Sequence, residues 1–149
     1  AFNAAYQTQI DAYMAANPGV SITVESVDPA TYDVSAGAAL AGGTAGDVVQ
    51  LPGAAVCAAR DYLVPVPEAV TTLTAAQPRF DPAALNAFTC DGALYGLPQE
   101  SGTPWGLVVG GASTAQEVAW DFVRFAALDP ANAAGWNEAT ITPPALVGP

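Results

Sequence analysis

The chain has 149 residues, of which 52% are hydrophobic and 11% are charged, and this length suits a single domain with a sizeable core. Fourteen acidic residues against three arginines give a formal net charge of −11. This balance excludes a nucleic-acid binder, which needs a basic patch to displace counterions from phosphates, and it favours neutral or cationic ligands over polyanions.

The first predicted element is an amphipathic helix. Residues 2–16 place large apolar side chains at spacings of three and four, which is typical of a helix with one buried face: Phe2, Tyr6, Ile10, Tyr13 and Met14. The sequence Asn-Pro-Gly that follows predicts the end of this helix.

A strand, a helix and a second strand are predicted next. Residues 20–27, VSITVESV, alternate between apolar and polar and are rich in β-branched side chains, so they predict a strand. Asp28 is a candidate N-cap for a helix that runs to about Leu40. Residues 47–51, DVVQL, predict a short buried strand.

Two short helices and a hairpin follow. The helices are predicted at residues 54–63 and 80–88, the second with Asp81 as its N-cap. The Asp91-Gly92 pair between extended residues indicates a tight hairpin.

The C-terminal part of the chain adds a strand and a long helix. Residues 105–111 predict the strand, and residues 115–128 predict the helix, capped by Ser113 or Thr114. A short helical turn through Trp136 and a proline-rich tail complete the chain. Because strands alternate with helices, the pattern predicts an α/β fold with a largely parallel sheet. No segment approaches the roughly 18 uninterrupted apolar residues of a transmembrane helix.

The two cysteines, Cys57 and Cys90, are compatible with a disulfide or with two buried free thiols. The absence of histidine and of a CxxC motif argues against a metal site. Cys57 lies on the predicted helix after the second strand, and Cys90 opens the hairpin that should pack nearby. We therefore predict a Cys57–Cys90 disulfide, which would indicate an oxidising compartment.

Nothing in the sequence selects a catalytic group. The chain has no histidine to act as a base, no GxSxG nucleophile motif and no glycine-rich phosphate loop that ends in lysine. Fourteen acids would allow a two-carboxylate hydrolase, but no pair among them stands out. The sequence therefore predicts a protein that is not an enzyme and needs no cofactor.

A family resemblance is carried by five stretches in a fixed order. They are FNAAYQTQIDAYMAANPGVSITVES, ALAGGTAGDVVQL, ARDYLVPV, FTCDGALYGLPQES and STAQEVAWDFVRFAALDPANAAGWNEATITPP. Together they resemble the first lobe of the extracellular solute-binding proteins of ABC transporters, the group that includes maltose-binding protein. The most specific motif is DGALYGLP. The resemblance implies a three-layer α/β lobe of the periplasmic-binding-protein type, with helices on both faces of a mostly parallel sheet.

The resemblance also implies that two parts of the family fold are missing. Only ESGTPWGL joins Gln99 to Val108, where the family has a whole second lobe, and the first strand of the family is absent as well. The expected organisation is a single lobe over residues 1–149. Within it, residues 1–98 are a first-lobe segment, residues 99–107 a shortened crossover, and residues 108–149 the return strand and C-terminal helices.

The strand ends supply the first candidate contacts. Ligands of open α/β lobes bind outside the carboxyl ends of the strands. That rule selects Gln50, Leu51, Pro52 and Gly53, although an ordinary strand-to-helix turn explains these residues equally well.

The crossover supplies the second group. Gln99 and Glu100, followed by Ser101, lie where the crossover of the family faces the ligand cleft. Their amide, carboxylate and hydroxyl groups suit sugar hydroxyls, which both donate and accept hydrogen bonds. The alternative is a solvated linker with no ligand contact.

Aromatic residues form the third group. Trp105 and Trp136 are expected to lie in loops, where a ring face could stack on a sugar or simply pack. Trp120 lies between core positions of the long helix and is expected to pack. Asp28 and Tyr32 follow the first predicted strand and are expected to cap and pack.

Two functional interpretations remain open. The leading one is a non-catalytic lobe that binds a neutral solute of the carbohydrate class. The resemblance then implies an extracellular or periplasmic protein, tethered as a lipoprotein in its full form, that works with an ABC permease or with a second lobe from another chain. The alternative is a structural or self-assembling extracellular protein that pairs through open sheet edges.

The crossover hypothesis makes three structural predictions. Leu94 and Leu97 should be buried, Glu100 should be exposed at the rim of the former cleft, and Trp105 should lie at the same end of the sheet as Pro52.

Overall fold

A computed structural model describes the protein from residue 2 to residue 149, except for the side chain of Phe2. The prediction that this side chain lies on the apolar face of the first helix therefore falls outside the described residues. The helices are α1 Phe2–Ala16, α2 Tyr32–Gly42, α3 Gly53–Ala59, α4 Leu73–Ala76, α5 Pro82–Ala87, α6 Gln116–Ala127 and α7 Pro130–Thr140. The strands are β1 Val48–Pro52, β2 Thr89–Cys90, β3 Ala93–Leu94, β4 Leu97–Pro98 and β5 Trp105–Val109. A single 3₁₀ turn, Arg60–Tyr62, follows α3.

Helix α1 forms as the apolar spacing predicts. Ile10 and Tyr13 are buried in the core, and Asn17 ends the helix by donating from Nδ2 to the carbonyl oxygen of Tyr13 at 2.9 Å. Gly19 then turns the chain with a φ of 94°, a backbone conformation that residues with a side chain seldom adopt.

The predicted strand over residues 20–27 does not form. These residues are irregular, and all but Val20 and Ile22 are exposed. An alternating pattern produces a strand only where a neighbouring strand satisfies its backbone groups. Among the described residues, no strand pairing includes this segment.

The predicted cap of the second helix is wrong by three residues. Asp28 accepts a hydrogen bond from the backbone nitrogen of Ala30 at 2.9 Å, so it stabilises a turn rather than the helix. Helix α2 begins only at Tyr32, after Thr31. The helix ends at Gly43, whose φ of 71° gives the left-handed cap that glycine favours.

The prediction of a mostly parallel sheet is wrong. The three-stranded sheet has the order β1-β5-β4, and every strand pairing described in residues 2–149 is antiparallel. Six residues, 99–104, connect β4 to β5. So short a connection reverses the chain, whereas parallel neighbours need a crossover of a dozen residues or more.

The hairpin of the DGALYGLP motif is confirmed. Asp91 and Gly92 have φ angles of 50° and 81°, as a two-residue turn with both central residues left-handed requires. The turn joins β2 to β3, with Cys90 opposite Ala93. The predicted Cys57–Cys90 disulfide is also confirmed, and it ties this hairpin to α3.

The C-terminal helices pack on the sheet and on α1. The predicted N-caps of α6 are wrong, since Ala115 occupies that position while Ser113 donates from its hydroxyl to Asp47 Oδ1 at 2.6 Å. Asp129 caps α7 by accepting from the backbone nitrogens of Ala131 and Asn132. The expected short turn is therefore a helix of 11 residues.

The proline-rich tail returns to the body of the protein. The backbone nitrogen of Asp81 donates to Ala145 at 2.7 Å, and that of Val147 donates to Arg79 at the same distance. Glu100 forms an isolated antiparallel bridge with Pro144. The tail thus covers both the start of α5 and the segment that follows β4.

Candidate functional site

The end of the sheet at Pro52 brings β1 and β5 together. Pro52 pairs with Trp105 in the antiparallel register, and the backbone nitrogen of Gly53 donates to the carbonyl oxygen of Pro104 at 2.7 Å. Trp105 therefore lies at the same end of the sheet as Pro52, as predicted. Because side chains alternate along a strand and face one another across a pair, Gln50, Pro52 and Trp105 share one face of the sheet.

Tyr32 joins this face from α2. Its hydroxyl donates to the carbonyl oxygen of Gln50 at 2.6 Å, and its ring centroid lies 6.0 Å from that of Trp105. Burial raises the pKa of the Tyr32 hydroxyl above its ordinary value, so the hydroxyl stays protonated and keeps donating this bond. Tyr32, Gln50, Pro52 and Trp105 are all half-buried, and we call them the aromatic edge.

The aromatic edge has the chemistry of a carbohydrate contact. Ring faces can stack on the apolar C–H face of a sugar, and the Gln50 amide can both donate to and accept from hydroxyls. Tyr32 was assigned to packing by the sequence analysis. The sequence could indicate a ligand contact for Tyr32 only through its position after the predicted strand at residues 20–27, and that strand does not form.

Two of the predicted contacts belong to the core instead. Leu51 is buried on the face of β1 opposite to Gln50. Gly53 is also buried, and a side chain there would collide with Ala87, whose Cβ would lie 2.6 Å from the added carbon. Of the four residues at the strand-to-helix turn, Gln50 and Pro52 therefore reach the surface, whereas Leu51 and Gly53 are buried.

Glu100 was expected to be exposed, and that prediction is wrong. Only 7% of its surface is exposed, whereas Leu94 and Leu97 are buried as expected. The physical reason is the C-terminal tail, because the backbone nitrogen of Ser101 donates to Pro143 at 3.0 Å beside the bridge between Glu100 and Pro144. The tail occupies the side on which the crossover would have faced solvent.

Gln99 is buried in the same region. Its Oε1 accepts a hydrogen bond from the hydroxyl of Tyr6 at 2.8 Å, and its backbone carbonyl accepts one from Asn137 Nδ2 at 2.9 Å. Trp136 is buried as well, with its ring centroid 4.3 Å from that of Tyr6. The structure therefore places Gln99 and Trp136 in an internal polar cluster, away from any open surface.

Burial shapes the electrostatics of this cluster. It raises the pKa of the Glu100 carboxyl, an effect that a hydrogen bond with Thr142 partly offsets. Burial also raises the pKa of the Tyr6 hydroxyl, with smaller contributions from Tyr32 and Glu100. Among the described residues, no hydrogen-bond partner is found for Gln99 Nε2, Glu100 Oε2 or Asn137 Oδ1. Sequence reasoning missed Tyr6 and Asn137, because only the fold brings α1 and α7 to the crossover.

The part of the chain that the structure describes contains no group of three or more histidine, cysteine or acidic side chains that could hold a metal ion. None of its helices combines the length and the apolar character that a membrane crossing requires.

Comparison with known proteins defines the class. The family model described as bacterial extracellular solute-binding protein matches residues 8–109, which is more than half of the chain. The chain therefore belongs to this family, whose members are binding proteins and not enzymes. The resemblance drawn from the five sequence motifs is confirmed.

Three solved structures share part of the fold. M. tuberculosis UspC is 29% identical over 65% of this chain, with a TM-score of 0.55. A maltotriose-binding protein of Thermus thermophilus, solved with maltotriose, is 26% identical over 64% of this chain, with a TM-score of 0.54. The GacH receptor of Streptomyces glaucescens, solved with acarbose, covers 66% at 24% identity with a TM-score of 0.56, which supports the fold alone.

The chain covers only 23%, 26% and 25% of UspC, the GacH receptor and the maltotriose-binding protein, respectively. The matched part of the chain therefore spans about a quarter of the length of these proteins. A comparison with curated proteins gives no match.

Proposed function

We propose that this chain is a single non-catalytic lobe that binds a neutral carbohydrate through the aromatic edge. Family membership and the maltotriose bound in one similar structure support the carbohydrate class. The observation that carries the proposal is the convergence of Trp105, Tyr32 and Gln50 at one end of the sheet, with the two rings 6.0 Å apart.

The buried members of the predicted site take supporting roles in this proposal. Leu51 and Gly53 set the backbone of the edge through core packing. Gln99, Glu100 and Trp136 hold the crossover against α1, α7 and the tail. The arrangement of residues 1–98, 99–107 and 108–149 as one lobe with a shortened crossover is part of the same proposal.

Binding should be weak, because the edge offers a sugar contacts from one side only. A dissociation constant near 1 mM corresponds to about −4 kcal/mol, which a few stacking and hydrogen-bond contacts can supply. A second lobe or an ABC permease would add the remaining contacts. Family membership supports an extracellular or periplasmic location, with or without a lipid anchor.

Tryptophan fluorescence tests the proposal directly. Trp120 and Trp136 are 3% and 1% exposed, so a ligand at the protein surface reaches Trp105 alone among the three. Titration with maltotriose should produce a saturable change, and Trp105→Phe should remove the change while circular dichroism remains that of the folded protein. Tyr62→Ala is the matched control, since Tyr62 is an exposed aromatic residue outside the aromatic edge.

The proposal fails if maltotriose, mannotriose and galactobiose cause no change up to tens of millimolar. It also fails if Tyr62→Ala removes the fluorescence change, because the ligand would then bind outside the aromatic edge.

A self-assembling protein is the second candidate, and one observation favours it. In the described part of the chain, β1 is an edge strand of the three-stranded sheet, because it pairs with β5 on one side and with no strand on the other. An edge strand presents backbone groups that can pair with another chain. Light scattering over a range of concentrations would reveal such association as a rise in apparent mass, and a constant monomer mass would reject it.

A further inference from the structure

Two of the only three cationic side chains in the sequence line one cleft. Arg79 and Arg124 face a cleft of about 450 Å³ between α6, the start of α7 and the loops near Asn17 and Val70. The third cation, Arg60, pairs with Asp91 and does not line this cleft. Two acidic side chains, Asp121 and Asp129, line the same cleft.

Both arginines retain donor capacity. Arg79 donates from Nη2 to the carbonyl oxygen of Leu128 at 2.9 Å, but its buried Nε has no hydrogen-bond partner among the described residues. Arg124 donates from Nη2 to Asp121 Oδ1 at 2.8 Å, and its side chain is 56% exposed. A guanidinium has five N–H donors, and each of these two side chains uses one of them in a described hydrogen bond. The buried Nε of Arg79 is closed to a ligand, so the remaining terminal N–H groups are the donors that a ligand can reach.

The acidic residues of the cleft are already engaged. Asp121 accepts from Arg124 and also from the hydroxyl of Tyr13 at 2.7 Å. These two hydrogen bonds lower the pKa of the Asp121 carboxyl, so it remains an ionised acceptor. Asp129 accepts from two backbone nitrogens at the start of α7. Both of these bonds use Asp129 Oδ1, so Oδ2 keeps acceptor capacity among the described residues. The unused N–H groups of the two arginines still outnumber this one oxygen, so a bound group that supplies acceptors can use them.

The cleft also has an apolar wall. The half-buried ring of Phe125 lies beside Leu128 and Val70. A ligand that fits both features carries a carboxylate for the arginines and an apolar ring for this wall.

We propose that the cleft binds a small monocarboxylate with an apolar ring, at a site separate from the aromatic edge. The net charge of −11 opposes polyanions at long range. At physiological ionic strength the Debye length is about 8 Å, so the local guanidinium groups decide whether a single carboxylate binds. The inference does not depend on sugar binding.

Nitrogen-15 NMR of the arginine side chains tests the site, because the sequence allows only three arginine Nε–H signals. Benzoate is the probe, and benzyl alcohol is its uncharged counterpart. Addition of benzoate should shift the signals of Arg79 and Arg124 in a saturable way and leave that of Arg60 unchanged, whereas benzyl alcohol should shift none of them.

Two matched variants complete the experiment, and each also assigns one signal. Arg124→Gln should weaken the benzoate response of Arg79 by about tenfold, the typical effect of a lost charge-assisted hydrogen bond. Arg60→Gln removes the same charge elsewhere and should leave the response unchanged. Equal weakening by the two variants would indicate a non-specific charge effect and overturn the proposal.

If Arg124→Gln folds poorly, the titration of the wild-type protein still tests the proposal. The proposal is overturned if benzoate shifts all three arginine signals alike, or shifts none of them up to about 50 mM.

Discussion

Glu100 is a buried carboxyl group in a chain with very few cations to neutralise it. Arg60 and Arg124 pair with Asp91 and Asp121, while Arg79 donates to a backbone carbonyl. Burial without a cationic partner disfavours the ionised form, so the folded protein holds the Glu100 proton more tightly than the unfolded chain does.

The stability of the protein should therefore depend on pH through Glu100. A raised pKa in the folded state gives a stabilising contribution that is full below the ordinary value of 4.5 and is lost as pH rises through the folded-state pKa. Glu100→Gln removes the ionisation and keeps the size of the side chain. Its free energy of unfolding, relative to the wild type, should increase from pH 4 to pH 8, as measured by urea denaturation.

Glu68→Gln is the control for this prediction, because Glu68 is exposed and its substitution changes the net charge equally. If both variants show the same pH dependence, the effect comes from the overall charge and not from the buried carboxyl.

At the scale of single elements, the presence of a neighbouring strand decided whether a segment became a strand more than its own residue pattern did. The segment 20–27 has a clear strand pattern and remains irregular, whereas the two-residue strands β2 and β3 form because a left-handed turn aligns them. Local turn chemistry was therefore a better guide than alternation. The hairpin then gains a covalent link to α3 through Cys90.

Replacement of both Cys57 and Cys90 by alanine should destabilise the protein by roughly 3–4 kcal/mol, because the disulfide closes a loop of 33 residues. Chemical denaturation should show this loss as a lower midpoint. The wild type with dithiothreitol should behave like the double variant, and dithiothreitol should leave the double variant unchanged. A loss below about 1 kcal/mol would contradict the chain-entropy argument.

At the scale of the whole molecule, the tail closes the fold. Residues 143–148 contact the segment after β4 and the start of α5, and Ala145 is completely buried. These contacts join parts of the chain more than forty residues apart, so no local pattern predicts them. The same contacts cover Glu100.

Deletion of residues 143–149 should therefore cost about 3–5 kcal/mol, since it removes several backbone hydrogen bonds and the packing of the fully buried Ala145. Thermal unfolding measures the loss. Val147→Ser keeps the backbone contacts and changes only an exposed side chain, so it should cost less than about 0.5 kcal/mol. A truncated protein as stable as the wild type would show that the tail does not close the fold.

The sequence by itself determined the class of the protein and the features that depend on neighbours along the chain. The Asp91-Gly92 turn and the Asp81 cap follow from local chemistry, and the class follows from the resemblance of the motifs to a known family. The Cys57–Cys90 disulfide needed only the expectation that two adjacent elements pack.

Only the tertiary structure decided which candidate residues reach the surface. Burial and strand direction depend on contacts between distant segments. The 99–104 connection made β4 and β5 antiparallel, the tail covered Glu100, and the fold brought Trp136 against Tyr6. Of the eight residues selected as ligand contacts, Gln50, Pro52 and Trp105 lie at the aromatic edge, because the register of β1 and β5 places them on one half-buried face.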